Sequence, residues 1–219
     1  MGEGGGGVAD AGAGAGLRPG GAGRVLTVAG PDGTGKSTLC DALIDGVLRD
    51  RPVLRVHHRF GVLPARGGDD ETGVTEPHRD EPYPAPLAAL KALALFADFW
   101  LGWLLRARPF VRRGGWVLLE RGWWDLAVDP RRYRLRPGGR LVRALGRLLP
   151  QSDVLLVLEG PPATLWARKQ ELPEAELERQ VRAWHDVVPA GVRRVHLDTS
   201  APLDDVVRRA EAELLSVAL

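Results

Sequence analysis

The stretch Gly30-Pro31-Asp32-Gly33-Thr34-Gly35-Lys36-Ser37, followed by Thr38, constrains this chain most. It reads G-x-x-x-x-G-K-S. Glycines in that spacing let successive backbone N–H groups turn toward one point and form an anion nest. The flanks agree with this reading. Arg24 to Ala29 is a short, apolar, β-branched run that reads as a buried strand, and Ser37 to Leu48 carries apolar residues at helical spacing. A strand, this loop and a helix together are the context in which such a loop binds nucleotide phosphates. The helix that begins there adds its positive end. Lys36 is placed to reach the β- and γ-phosphates, and the Ser37 hydroxyl to hold Mg²⁺. Gly30, Pro31, Asp32, Gly33, Thr34, Gly35, Lys36, Ser37 and Thr38 are therefore the expected cradle.

The rest of the chain alternates strand and helix. Pro52 to His57 reads as a second strand that delivers His57, His58 and Arg59 at its carboxyl end. Residues 60–84 are rich in Gly, Pro and charge and read as a long loop, either functional or disordered. Pro86 to Arg108 is the most apolar stretch. Lys91 and Asp98 interrupt it, so a long, mostly buried helix is expected rather than a membrane span, with Asp98 facing a cavity. Trp116 to Leu119 is a short strand ending in Glu120-Arg121, with Trp123 and Trp124 beyond it as core or as stacking surface. Residues 126–139 read as irregular and Arg140 to Leu149 as a short helix. Asp153 to Leu158 is the fourth strand. A proline-led helix follows and carries Arg168 and Lys169. Glu174 to Val187 is a further helix, Arg193 to Leu197 the fifth strand, and Leu203 to Leu215 the closing helix.

The predicted fold is α/β: a five-stranded, mainly parallel sheet with helices on both faces. Residues 1–23 are nearly all Gly and Ala and read as a disordered tail. Residues 24–219 read as one P-loop domain. With 30 Lys and Arg against 28 Asp and Glu, the net charge of +2 asks for neither nucleic acid nor a membrane surface as partner. Cys40 is the one cysteine, so no disulfide framework is expected. Met1 is not followed by a basic region and an apolar core, and a cytoplasmic protein is expected.

From about residue 24 to 217 the chain resembles the thymidylate kinase family of P-loop nucleoside-monophosphate kinases. The resemblance rests on Asp32 to Thr38 and on Leu95-Phe96-Ala97-Asp98, which looks like the family's substrate helix. Glu120-Arg121 stands where the family has Asp-Arg. Glu159 to Arg168, Glu178-Arg179, Arg182-Ala183-Trp184 and Asp198 to Val206 follow in the family's order. It implies a P-loop kinase fold with a short lid, ATP and Mg²⁺ as donor and cofactor, and a small-molecule phosphoryl acceptor. A homodimer is left open. It implies that Glu120 sits near Mg²⁺ and Arg121 pairs with the acceptor's phosphate. Arg168 and Lys169 would close over the transferring group, and Thr199, Ser200 and Ala201 would lie against adenine. Asp32, His57, Arg59, Asp98, Phe99 and Arg121 fall around the acceptor cavity.

The sequence also departs from that family. Phe99 stands where the family has a base-contacting arginine, and Leu95 where it has a stacking aromatic. Glu120-Arg121-Gly122 replaces Asp-Arg-Tyr and is closer to the deoxynucleoside kinases. The Arg-Glu-Pro phrase expected after the second strand is echoed only by Thr75-Glu76-Pro77. Gly33 stands where some members carry an arginine. Weak or absent activity on thymidylate is therefore expected. Two other readings stay open: a kinase acting on a hydroxyl of a nucleoside, sugar or other metabolite, and a nucleotide-binding regulatory module without turnover.

Overall fold

Five short apolar runs pair side by side into one parallel sheet of order β2-β3-β1-β4-β5. They are β1 (Val25–Ala29), β2 (Val53–His57), β3 (Trp116–Glu120), β4 (Val154–Glu159) and β5 (Arg194–Asp198). We describe the protein from a computed structural model over residues 21–63, 78, 80–136 and 138–218. The expected tail, apart from residues 21–23, lies outside the described residues. So do the Thr75-Glu76-Pro77 phrase and most of the loop around it.

Alternation along the strands builds the two faces. Leu26 and Val28 of β1, with Leu118, Leu156 and Leu158, meet Leu39, Cys40 and Leu43 of α1 (Lys36–Asp45) and Val206, Ala210 and Leu214 of α8 (Leu203–Ala218). Val25 and Ala29 point the other way, with Val117, Leu119, Leu155 and Val157. They share a second core with α2 (Ala85–Gly102), α4 (Trp123–Val128) and α7 (Glu174–Val187). Helices α3 (Arg108–Arg112), α5 (Arg140–Gly146) and α6 (Pro162–Arg168) complete the fold. β1 lies between β3 and β4, and the chain crosses from one side of it to the other. The crevice outside its carboxyl end is thus the topological switch point where open α/β sheets bind ligands.

Two expectations are corrected here. Residues 126–139 do not begin irregularly, because Trp123–Val128 is helical, with the Asp125 carboxylate accepting the Gly122 N–H at 2.8 Å as its cap. The apolar stretch is longer than expected and is not mostly buried. α2, a π-helical turn at Trp103–Ala107 and α3 run on as one helical stretch from Ala85 to Arg112. Pro109 has no N–H to give the carbonyl four residues back, and the turn beside it shifts register, with Arg108 N–H reaching the Trp103 carbonyl. By length and composition the stretch is apolar enough to cross a bilayer, and only 28% of its most apolar window is buried. Ala88, Ala92 and Phe99 enter the core, while Leu87, Leu90, Leu93, Leu104 and Leu105 face outward.

Candidate active site

The loop after β1 is built as its sequence requires. Gly30 has φ +139°, and a Cβ there would lie 2.2 Å from the Leu158 carbonyl oxygen, so only glycine fits. Around Gly35, φ +81°, there is open space. No side chain caps α1, so its first N–H groups face the cradle. The Thr34 hydroxyl donates to the Pro31 carbonyl at 2.8 Å. Lys36 is buried, and its ammonium donates to the carbonyls of Gly30 (2.9 Å) and Pro31 (2.7 Å). Burial, and then the nearby Arg121 guanidinium, lower its pKa to about 7, against the pull of Asp32.

Because β3 pairs directly with β1, Glu120 lies level with Val28 and reaches the start of α1. The Ser37 hydroxyl donates to Glu120 Oε1. Oε2 accepts from Arg55 Nη2 at 2.6 Å and lies 3.1 Å from His57 Nδ1. Burial pushes the Glu120 carboxyl up, but the hydrogen bonds from Ser37 and Arg55 outweigh it and hold the group below its usual value. A hydroxyl and a carboxylate oxygen meeting at the edge of a phosphate cradle are the hard oxygen donors that Mg²⁺ takes, so Ser37 and Glu120 fit that ion. Arg55 was not among the expected site residues. The signal for it was the two-residue period of β2, which sets Arg55 on the same face as His57.

Beside the loop lies a narrow polar crevice lined by Gly30, Asp32, Arg121, Asp125, Asp129 and Arg132 among others. Two guanidinium groups close on one carboxylate there. Arg121 Nη2 donates to Asp32 Oδ1 and Arg132 Nη1 to Asp32 Oδ2. Arg121 also stands 3.7 Å from Asp125 Oδ1. Burial alone would raise Asp32, but Arg121, Lys36 and Arg132 hold it far below the carboxylate range. Burial raises Asp125, with Arg121 opposing. Arg121 takes φ 65° and His58 φ 55°, a costly conformation for side-chain-bearing residues, at the carboxyl ends of neighbouring strands. Burial, and then the charges of Arg121 and Arg132, lower His58 to about 3, so it stays neutral.

The α6 segment lies over the loop. A Cβ at Gly33 would come 3.1 Å from the Leu165 carbonyl oxygen, 3.4 Å from Lys169 Cβ and 3.8 Å from Arg168 Cβ. Arg168 Nη2 donates to the Thr199 carbonyl at 3.1 Å, and Lys169 pairs with Glu171 at 3.0 Å. Arg168 and Lys169, expected in a lid, thus lie at the end of α6, beside the phosphate loop, and Arg168 ties this segment to the loop after β5. There the Thr199 N–H donates to the Glu159 carbonyl at 2.8 Å, while Ser200 and Ala201 are exposed.

Several expected acceptor-side residues are engaged elsewhere. The Asp98 carboxylate accepts the N–H groups of Gly61 (3.1 Å), Val62 (2.7 Å) and Leu63 (2.8 Å), and so anchors the segment after β2. Arg59 donates to the Leu63 carbonyl at 3.1 Å in the same segment. Phe99 is buried in edge-to-face contact with Phe60 and Trp123. Trp123 and Trp124 are core, their ring N–H groups donating to the Val142 carbonyl (2.8 Å) and Gln151 Oε1 (3.1 Å). At the ends of β4 and β5, Glu159, His185 and His196 gather. The two imidazoles are stacked at 4.2 Å with 2° between their planes. Each ring turns one nitrogen to Glu159 Oε2, His185 Nε2 at 3.1 Å and His196 Nδ1 at 3.0 Å.

No protein-family model matches the chain. The chain is similar to the hemin import ATP-binding protein HmuV of Streptomyces coelicolor, 32% identical over 183 residues that cover 76% of this chain. It spans 59% of that protein's length. The loop geometry, the parallel sheet and this similarity together fit a P-loop NTPase fold.

Proposed function

We propose that the chain is an ATP- and Mg²⁺-dependent phosphotransferase, similar to the thymidylate kinases, that moves the γ-phosphoryl group onto a small anionic acceptor. One observation carries this reading. Arg121 converges on Asp32 beside the phosphate loop, and Asp32 Oδ1 lies 3.8 Å from the Lys36 ammonium. A second cationic site that close to the γ-phosphate position suits a second anion, whereas hydrolysis needs only a water.

On this reading Lys36 leaves the Gly30 and Pro31 carbonyls for the β- and γ-phosphates, and the loop N–H groups hold the donor. Ser37 and Glu120 would hold Mg²⁺, which would supply charge neutralisation for the donor's phosphates. Arg121 pairs with the acceptor's phosphate, and Arg168 and Lys169 cover the transferring group. An acceptor oxygen bonds to the γ-phosphorus, the bridge to the β-phosphate breaks, and ADP leaves with the electron pair. The work is positioning and charge neutralisation. A phosphate nucleophile is already ionised and needs no base. A hydroxyl acceptor needs one, and Asp32 and Glu120, both held below their ordinary pKa by cations or hydrogen bonds, are poor bases. With Phe99 in the core, α2 offers no donor to a pyrimidine carbonyl there, so thymidylate is expected to be a poor acceptor.

The similarity to a hemin import ATP-binding protein favours a second reading, an ATPase that drives a partner. One experiment separates the two: ADP release from ATP, with Mg²⁺, over nucleoside monophosphates, nucleosides, sugar phosphates and no acceptor. Release that depends on a phosphomonoester and is lost in Lys36→Ala is expected. Equal release with and without acceptors would refute transfer and favour the ATPase. ATP binding with no turnover at all would leave a regulatory module.

A further inference from the structure

Arg132 belongs to none of the elements that the phosphate loop or the strand ends would single out. It lies 100 residues from Asp32 in the chain, in a turn after α4. That turn is held by its own backbone. The Arg132 N–H donates to Asp129 Oδ1 at 3.2 Å, and the N–H groups of Tyr133 and Leu135 donate to the Pro130 carbonyl at 3.2 Å and 2.8 Å. Gln180 of α7 donates to Asp129 Oδ2 at 3.1 Å, which ties the turn to the helix behind the lid. The Arg132 side chain is only 8% exposed, so its guanidinium is placed by the fold rather than by solvent.

A guanidinium carries five N–H donors. Arg132 gives one to Asp32 Oδ2, while its Nε is buried with no hydrogen-bond partner among the described residues. A purely structural ion pair gains nothing from an unmet buried donor, which ordinarily destabilises. Asp32 has two carboxylate oxygens, and Arg121 and Arg132 take one each. A phosphomonoester offers three terminal oxygens and so can serve both arginines and one further donor. Lys36 is 3.8 Å from Asp32 Oδ1, so an anion at this place lies next to the ammonium that serves the donor phosphates.

Resting on the transfer reading above, we infer that Arg132 is a second anion-binding residue of the acceptor crevice, working with Arg121. Asp32 occupies their site as an internal counter-ion until the acceptor's phosphate takes its place. The crevice is then closed in the unliganded protein by one of its own side chains, and acceptor binding must swing the Asp32 carboxylate aside.

The test is made with the full chain in saturating Mg²⁺–ADP, so that the phosphate loop is filled, with inorganic phosphate titrated by calorimetry. Asp32→Asn removes the internal anion and is expected to bind phosphate at least about tenfold more tightly than the wild type, the scale of one charge-assisted hydrogen bond. Adding Arg132→Met is expected to abolish that gain. If Asp32→Asn gains nothing, or the gain survives Arg132→Met, the inference is overturned. Failure of ADP to bind would instead count against the nucleotide reading. Should Asp32→Asn not fold, the acceptor's KM is measured in Arg132→Lys and Arg132→Met. A rise of about tenfold or more in Arg132→Met, partly restored by lysine and with the KM for ATP little changed, supports the inference. An unchanged acceptor KM refutes it.

Discussion

His58 is held neutral first by burial and then by the charges of Arg121 and Arg132, and replacing it should change how the protein responds to acid. It sits at the end of β2 in the left-handed region, φ 55°, which asparagine also accepts, so His58→Asn removes the imidazole with little strain. Burial, Arg121 and Arg132 lower the folded-state pKa from 6.5 to about 3. As pH falls through 6.5 the unfolded chain takes up this proton and the folded chain does not. Folding therefore loses stability progressively down to the folded pKa, and the loss is absent above the unfolded value. Each pH unit in that window is worth about 1.4 kcal/mol, so the loss by about pH 5 is at most about 2 kcal/mol. The ring is only partly buried, and solvent screening reduces this to about 1 kcal/mol. Urea unfolding of both proteins at about pH 7 and about pH 5 measures the quantity as a difference of differences, in which every other titrating group cancels. The wild type is expected to lose about 1 kcal/mol more than His58→Asn. Equal losses would show that burial of His58 beside Arg121 and Arg132 does not keep its imidazole neutral in the folded protein.

Two further outcomes are expected. Glu120→Gln should lower kcat by about 100-fold, the scale for a preorganised charge at a reacting centre, and raise the Mg²⁺ concentration at half-maximal rate. A lower melting temperature with intact kcat would mark Glu120 as a strand-end ion-pair partner only. Asp98→Ala should cost about 3 kcal/mol or more, because three N–H groups lose their acceptor, and urea unfolding reads this directly. A stable Asp98→Ala protein that fails to take up the acceptor would return that carboxylate to the acceptor site.

What the sequence revealed was local. The loop from Gly30 to Thr38 and the five strands follow from glycine spacing and β-branched runs, which depend on neighbours along the chain. The partners of Glu120 and Asp32 do not. Ser37 meets Glu120 across 83 residues, and Arg132 meets Asp32 across 100, contacts set by strand order and by one turn after α4. Leu95-Phe96-Ala97-Asp98 was read as resembling a substrate helix, and Asp98 as facing a cavity. Its partners are backbone N–H groups, which carry no signature in sequence. The outward leucines of α2 escaped notice for a similar reason. A run apolar on every side gives no period from which to tell its covered face from its bare one.

Gly33 settles a matter of space. Its backbone is left-handed at φ +82°, and the α6 segment rests where its side chain would be, with the Leu165 carbonyl oxygen 3.1 Å and Lys169 Cβ 3.4 Å from an added Cβ. An arginine there would be strained by its backbone conformation, and the Leu165 carbonyl would have to give by a few tenths of an ångström. A cation carried by the loop would therefore crowd the segment seated on it. Grafting an arginine at position 33 would be best tolerated alongside a compensating change in Leu165 to Lys169.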